Sequence, residues 1–464
     1  MTYKEARVYL DEVSKYGSVL GLDTIRGLLL ELGNPQDGLK FIHIAGTNGK
    51  GSVLAFTSSI LREAGYRTGS YISPTVVSYL ERIQIDGEWI PKEEFAGYVE
   101  EVKKAVARME TKGMAHPTVF EIETAIAFLY FREKMCDYVV LEAGLGGRLD
   151  ATNVVENTAA AVFATISFDH MGFLGDTLER IAEDKAGIIK PGCVAVSAAQ
   201  EPEAADILRK QAESLGCQIV FARPKEMRVY REDYRGMTIV YPSWGDTPVE
   251  TLMAGSYQVF NAAVVFELMK LLKVPKEAVA RGFLKARWPG RFTCISEKPL
   301  FIVDGAHNRD AAKRLRESVE RYLCGKYLIF IMGVFQDKEY EEIAAQMAPL
   351  AKSIYTVELP DKGRSLKASE LKKVCGPYCG KDVQASGSIR EAAECAWQEA
   401  LAKPGSAVLA FGSLSYLGEV MREVTRLKES MAKGEEQAQE GKPGEECPAI
   451  DRESRKLTKA GEVR

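Results

Sequence analysis

Between Phe41 and Ser52 the sequence FIHIAGTNGKGS carries the residue types of a phosphate-binding turn. The apolar run Phe41–Ala45 reads as a buried strand, and Gly46-Thr47-Asn48-Gly49-Lys50-Gly51-Ser52 as a tight turn. Val53, Leu54, Phe56 and Ile60 then follow at helical spacing. Glycines let backbone N–H groups face a phosphate, and the N-terminus of a helix adds partial positive charge. Lys50 adds a full charge suited to the β- and γ-phosphates. The spacing departs from the strict phosphate-loop pattern: Gly51 separates the lysine from Ser52, and Ile44 stands in place of the first glycine. A plain glycine turn between strand and helix would satisfy the same pattern.

Two further stretches carry candidate chemistry. In DYVVLEAGLGGRLDATN, Asp137–Asn153, a strand over Tyr138–Ala143 would deliver Glu142 to the carboxyl edge of a sheet, where open α/β sheets bind ligands. The GLGGRLD segment lacks the third glycine of a dinucleotide turn, since Leu149 takes its place, and no helix opens there. A carboxylate that ligates Mg²⁺ beside a substrate loop fits it better than a nicotinamide site. In Ser167–Gly192, His170 sits with Asp169 in a loop after a strand, and a helix carries Glu183, Asp184 and Lys185. A lone histidine there is as compatible with a structural role, and Lys185 with a solvated helix charge. Ala182, Ala186 and Ile189, however, place Lys185 near the packed face.

Elements that could position these groups alternate as strand and helix along most of the chain, the pattern of a parallel sheet covered on both faces. Before the first strand, Thr2–Leu32 reads as helical. Helices are expected over Lys92–Met109, Thr118–Lys134, Leu178–Ile189, Pro202–Leu215 and Tyr257–Leu272, and hairpins over Met227–Val249. A Pro-Gly break in RWPGRF, Arg287–Phe292, separates two βα series. Beyond it strands restart at Leu300–Val303, Tyr327–Val334, Ser353–Val357, near Asp382–Ala385 and at Ala407–Phe411. The expected fold is therefore α/β: a P-loop-type ATP-binding domain with a mostly parallel sheet over 1–288, then a smaller Rossmann-like α/β domain over 289–430. The Lys/Glu/Gln/Gly-rich stretch 431–464 reads as a disordered tail.

Composition narrows the classes. The 464 residues suit two or three domains, and 46% hydrophobic content is ordinary for a globular chain. A formal charge of −4 gives no reason to expect nucleic acid or a membrane surface as partner. The start, MTYKEARVYL, has no apolar signal-peptide core, so a cytoplasmic location is expected. Nine cysteines, an odd number in scattered apolar contexts, fit reduced and mostly buried thiols. Cys375-Gly-Pro-Tyr-Cys379 has three residues between its thiols and reads as a surface turn at a helix end rather than a redox pair.

Taken together the blocks resemble folylpolyglutamate synthase, including the bifunctional dihydrofolate synthase form, within the Mur ligase superfamily. The resemblance rests on AGTNGKGS at Ala45–Ser52, SP with LERIQIDG within Ser73–Gly87, and LEAGLGGRLDATN at Leu141–Asn153. It continues through DH at Asp169-His170, EDKAGIIKPG at Glu183–Gly192, GSYQVFNA at Gly255–Ala262 and WPGRF at Trp288–Phe292. DGAHN at Asp304–Asn308 and FGSL at Phe411–Leu414 complete it, and the match ends near Arg426.

The resemblance implies ATP-dependent ligation of L-glutamate to a reduced folate through an acyl phosphate, with dihydropteroate as a further candidate substrate. It implies that Gly46, Thr47, Asn48, Gly49, Lys50, Gly51 and Ser52 hold the ATP phosphates. Ser73 and Glu142 would ligate one Mg²⁺ and His170 a second, with Lys185 carbamylated into a bridging carboxylate-like ligand. Asn261 and Arg291 would contact the nucleotide. Asp304, His307 and Ser413 would meet nucleotide and incoming glutamate, and the Ser73–Arg82 loop with Asp150 would line the pterin site. A monomer acting on small molecules is expected. Three departures stand out: Thr75 where many relatives place histidine, Arg309 where proline is usual, and Phe168 where a smaller residue is common. The alternatives are another Mur-type amide ligase, against which the LERIQIDG and GLGGRLDATN blocks argue, and a non-catalytic P-loop nucleotide-binding switch.

Overall fold

The computed structural model describes residues 1–17, 19–168, 175–379 and 382–440. The chain divides into two units, Met1–Val424 and Thr425–Arg464. In the second unit the described residues belong to the last helix, Leu417–Glu440.

The strands are, in chain order, β1 (Phe41–Ala45), β2 (Thr68–Tyr71), β3 (Ile83–Ile85), β4 (Glu88–Trp89), β5 (Tyr138–Glu142), β6 (Thr158–Phe163), β7 (Val194–Ser197), β8 (Ile219–Phe221), β9 (Arg228–Asp233), β10 (Gly236–Val240), β11 (Val249–Thr251), β12 (Thr293–Glu297), β13 (Leu300–Val303), β14 (Tyr327–Met332), β15 (Ser353–Thr356), β16 (Val383–Ala385) and β17 (Ser406–Phe411). Among the described residues they form three sheets, ordered β4-β3-β2-β5-β1-β6-β7-β8, β11-β10-β9 and β12-β13-β17-β14-β15-β16.

In the first sheet β1 lies between β5 and β6, parallel to both. All five residues of β1 are buried, because helices cover both faces. Successive side chains alternate between faces. Phe41 therefore joins the cluster under the helix Val119–Glu133, where it meets Phe128 edge-on at 5.5 Å. Ile42 and Ile44 face the cluster of helices Lys50–Glu63, Gln258–Leu271 and Lys276–Lys285. The helix Gln258–Leu271 is apolar nearly all round, as a helix enclosed on every side must be. Thr118 starts the helix Val119–Glu133 with a reciprocal capping box to Glu121. β3 and β4 pair as an antiparallel hairpin whose turn, Asp86-Gly87, has φ of 54° and 86°. In the third sheet β13, β14, β15, β16 and β17 run parallel, and β12 pairs antiparallel with β13 at one edge.

Three expectations change. Residues 431–440 are helical, continuing the helix from Leu417, where a disordered stretch was expected. Ala, Glu, Gln, Met and Lys dominate that segment, and their helix propensity is high whatever their hydrophobicity. Cys375 and Cys379 are buried rather than on a surface turn, and burial pushes the Cys375 thiol up to about 12. The helix Lys276–Lys285 and the strand β12 were not expected at all. Among the described residues no helix is long and apolar enough to cross a membrane.

Candidate active site

The carboxyl ends of β1, β5, β6 and β13 open on one cleft of about 560 Å³. Its lining includes Gly46–Ser52 after β1, Ser73 and Pro74 beyond β2, Glu142 at the end of β5, and Thr165–Ser167 after β6. Arg291, Asp304 and His307 line it from the third sheet.

The turn after β1 uses its amides unequally. The N–H groups of Thr47 and Asn48 donate to Thr165 O at 2.7 and 3.2 Å, which pins the turn to the chain after β6. The helix then begins at Lys50, and its N-cap, Gly49, supplies no side-chain hydrogen bond. First-turn amides have no partner inside a helix, so those of Lys50–Ser52 are available to cradle an anion. Gly49 has φ of 95°, and a Cβ there would collide with Asn261 Oδ1. Gly51 is required for a different reason: a Cβ would stand 2.6 Å from the indole nitrogen of Trp288. The extra glycine that spoils the strict loop pattern is what lets Trp288 close on the first helical turn. Gly49→Ala is expected to lower stability by about 1–3 kcal/mol through strain and overlap and to raise the KM for ATP. Denaturant midpoints and ATP titrations check this, and an unchanged KM for ATP would count against the cradle.

Lys50 Nζ donates to Gly46 O at 3.2 Å and Thr47 O at 3.3 Å. Lys185 Nζ also reaches Gly46 O, at 3.2 Å, from the helix Leu178–Ala186. That helix is fixed by the loop after β5: Arg148 N–H donates to Asp184 O at 2.8 Å, and a Cβ on Gly147 would stand 2.8 Å from Lys185 Cα. Lys185 is buried, as its apolar neighbours foretold.

Glu142 is buried in the cleft wall and accepts the Ser73 N–H at 3.4 Å. Burial pushes its carboxyl above the usual carboxylate range, opposed by the Lys50 charge, the Ser73 N–H and the Arg291 charge. A buried carboxylate served by one long hydrogen bond suits a hard cation, and Mg²⁺ takes one or two carboxylates while keeping waters and phosphate oxygens. Among the described residues no group of three or more His, Cys, Asp or Glu could hold a metal ion. His170 and Asp169 lie outside the described residues.

The opposite wall is tied to the phosphate loop by side chains. Asn48 Nδ2 donates to Asp310 Oδ2 at 3.2 Å and to Asn308 Oδ1 at 3.4 Å, and Asn308 Nδ2 returns a bond to Asn48 Oδ1 at 3.2 Å. Asn308 also caps the helix Arg309–Tyr322 through the Ala311 N–H. Arg314 from that helix lies over the Phe260 ring at 4.9 Å. Asp304 accepts from Tyr257 OH, Phe292 N–H and Ala306 N–H, each at 2.8 Å. Burial pushes its carboxyl up, opposed by the Arg291 charge and by these donors. It lines the cleft but is mainly the pin that holds the Arg291 turn. His307 Nδ1 donates to Gly305 O at 2.7 Å.

Three expected site residues do not line this cleft. Arg82 pairs with Glu123 at 2.9 Å and packs by Tyr79. Asp150 accepts from the Leu145 N–H at 2.7 Å and from both the N–H and hydroxyl of Thr152, so it closes its own loop. Thr152 in turn meets the buried His43 Nε2 at 2.9 Å. Ser413 caps the turn after β17, accepting the Ser415 N–H at 3.2 Å. Buried polar groups go where their hydrogen bonds can be made, and Asp150 makes one of its bonds to Leu145, which does line the cleft. Ser52 lines the cleft while accepting from Gln258 Nε2 at 3.2 Å, and Asn261 donates to Gln258 Oε1 at 2.9 Å. Asn308, Asp310, Tyr257 and Arg314 were missed. Asn308 stood in the quoted DGAHN block and Tyr257 in GSYQVFNA; nothing local marked Asp310 or Arg314.

Residues 44–269 match the Mur ligase middle domain and residues 290–414 the Mur ligase glutamate ligase domain. A dihydrofolate synthase/folylpolyglutamate synthase of Bacillus subtilis is 35% identical over 368 residues, covering 76% of this chain and 84% of the relative. The crystal structure of Mycobacterium tuberculosis folylpolyglutamate synthase complexed with ADP and AMPPCP superposes with a TM-score of 0.80 at 28% identity, covering 92% and 97% of the two chains. E. coli FolC in complex with DHPP and ADP gives 0.79 at 28% identity, covering 91% and 98%.

Proposed function

This chain belongs to the folylpolyglutamate synthase and dihydrofolate synthase family of Mur ligases, ATP-dependent enzymes that join glutamate to folates, and from that membership we propose how its own residues divide the work. The observation that carries the reading is the convergence of Lys50, Glu142, Lys185 and Arg291 on one cleft between two α/β layers. We divide the chain at 288/289, with the phosphate loop before the boundary and the Arg291 and Asp304 segments after it.

The folate carboxylate attacks the γ-phosphorus, ADP departs and an acyl phosphate remains. The glutamate amine then attacks the acyl carbon, loses a proton and displaces phosphate. Lys50 and the first-turn amides hold the phosphates, and Arg291 faces them from the other wall. Both steps gather negative charge on oxygen, which fixed cationic groups in a water-poor cleft stabilise. Three reactants must be held in line, and the Asn48–Asn308–Asp310 bonds hold the two walls in register.

Glu142, with the Ser73 hydroxyl, would hold one Mg²⁺, and His170 with Lys185 a second. When bound, the metal supplies Lewis-acid polarisation of the phosphoryl oxygens. Lys50 Nζ and Lys185 Nζ both lie 3.2 Å from the Gly46 carbonyl oxygen. Carbamylation of Lys185 would turn one of them into an anionic ligand. Asp150 closes the glycine loop through Leu145 and Thr152, and that loop with Ser73–Arg82 borders the pterin.

Purified protein supplied with ATP, Mg²⁺ and glutamate is expected to release phosphate when given tetrahydrofolate, with product mass raised by one glutamate. A parallel arm with dihydropteroate defines the second substrate. Absence of phosphate release in both arms would sink the proposal.

A further inference from the structure

The loop that leaves β2 runs from Ser73 to Ser78 and ends in the short 3₁₀ turn Tyr79–Arg82. Ser73 and Pro74 line the cleft. Behind them Glu81 is only 6% exposed, and its carboxylate faces back along the loop. One oxygen accepts the Val77 N–H at 2.9 Å and the Ser78 N–H at 3.1 Å, and the other accepts the Val76 N–H. Gln84 Nε2 holds the Glu81 carbonyl at 2.7 Å.

The bland reading is a capping box, which Ser78 and Glu81 do form. A capping box accounts for one bond, from the carboxylate to the N-cap N–H of Ser78. It does not account for Val76 and Val77, which precede the turn and lie outside the box. Three consecutive amides aimed at one carboxylate form a nest, and a nest bends the chain around its anion. The bend sets where Ser73 and Pro74 sit. The outer side of the same loop touches the second wall: a Cβ on Gly418 would collide with the Val76 carbonyl, and one on Gly290 would stand 3.6 Å from Val76 Cγ1. Glu81 thus fixes, from inside the protein, a loop that borders both the cleft and the segment carrying Arg291.

We propose that Glu81 is a positioning residue that shapes the Ser73–Ser78 loop for the pterin-bearing substrate through the amides of Val76, Val77 and Ser78, and so sets folate affinity independently of ATP. This rests on the reading that the loop borders the pterin.

In Glu81→Gln the side chain keeps its size, but one oxygen becomes an NH₂ that opposes the backbone donors. The KM for tetrahydrofolate is expected to rise about tenfold, a loss on the scale of one charge-assisted hydrogen bond, while the KM for ATP and kcat at saturating folate stay within about twofold. Glu81→Asp keeps the charge but is one methylene short, and its folate KM is expected to fall between the two. A folate KM within about twofold of wild type in both variants would overturn the proposal, as would a parallel rise in the KM for ATP. Thr75→Trp places bulk on the loop and separates the two ideas. If it raises the folate KM while Glu81→Gln does not, the loop borders the pterin and Glu81 has no part in shaping it. If neither raises it, the reading of the loop itself fails.

Discussion

Lys50→Met is expected to lower kcat/KM about 10³-fold while leaving the fold intact or slightly more stable. Two effects with opposite signs support this. For stability, Lys50 is the first residue of the helix Lys50–Glu63, where the helix dipole presents its positive end. A cation there costs about 0.3–1 kcal/mol rather than contributing it. Its bonds to Gly46 O and Thr47 O are long, at 3.2 and 3.3 Å, and curl the side chain over its own loop. For catalysis, the proposed role of the same ammonium is to meet the charge that a phosphoryl group in transfer gathers on its oxygens. Removing one such donor costs about 10²–10³ in rate, and weaker ATP binding adds to the loss in kcat/KM. Steady-state kinetics with a thermal melt on the same sample checks both halves. A variant that melts well below wild type, or that keeps kcat/KM within about tenfold, would show that Lys50 holds the loop rather than the phosphates.

Lys185→Ala is expected to lose about 10³-fold or more in turnover, with partial recovery in added formate or acetate. The expectation comes from where the side chain is, not from its being a lysine. The helix Leu178–Ala186 is held against the glycine loop by Arg148, and that contact aims Lys185 at the carbonyl that Lys50 also uses. A small carboxylate diffusing into the space left by alanine could take the place of a carbamate. ¹³C-bicarbonate labelling gives an independent readout: a carbamate signal is expected in wild type and is expected to vanish in Lys185→Ala. Activity of Lys185→Ala within about threefold of wild type would reject the ligand role. Loss of activity with no carboxylate rescue and no labelled carbamate would leave Lys185 as a packing residue of the cleft wall.

What could be read from the chain was local. Strand, glycine turn and helix at Phe41–Ile60 are consecutive, so their periodicities announced the turn and put Lys50 at the start of its helix. Glu142 was legible for the same reason, being the last residue of a short apolar strand. The burial of Lys185 followed from the alanines and isoleucine at helical spacing beside it. The helix over 431–440 was misread because low hydrophobicity was weighed above helix propensity.

Everything that depended on a partner far along the chain was hidden. Asn48 bonds Asn308 and Asp310, about 260 residues away, and no pattern around Asn48 indicates either. Arg82, Asp150 and Ser413 stood in the quoted motifs, yet none of them lines the cleft, and their partners are Glu123, the loop amides of Leu145 and Thr152, and the Ser415 N–H. Motif membership says that a polar residue is needed; burial and hydrogen-bond geometry decide whether it faces a ligand or holds the residue that does. By itself the sequence determined most element types and the glycine turn between β1 and its helix, because these rest on contacts within a few residues, and the series of blocks carried the resemblance that gave the class of chemistry. Only the tertiary structure decided that Gly51 makes room for Trp288, that Glu81 gathers three loop amides, and that both lysines converge on the Gly46 carbonyl. Those arrangements are set by packing between segments whose order along the chain carries no record of their distance in space.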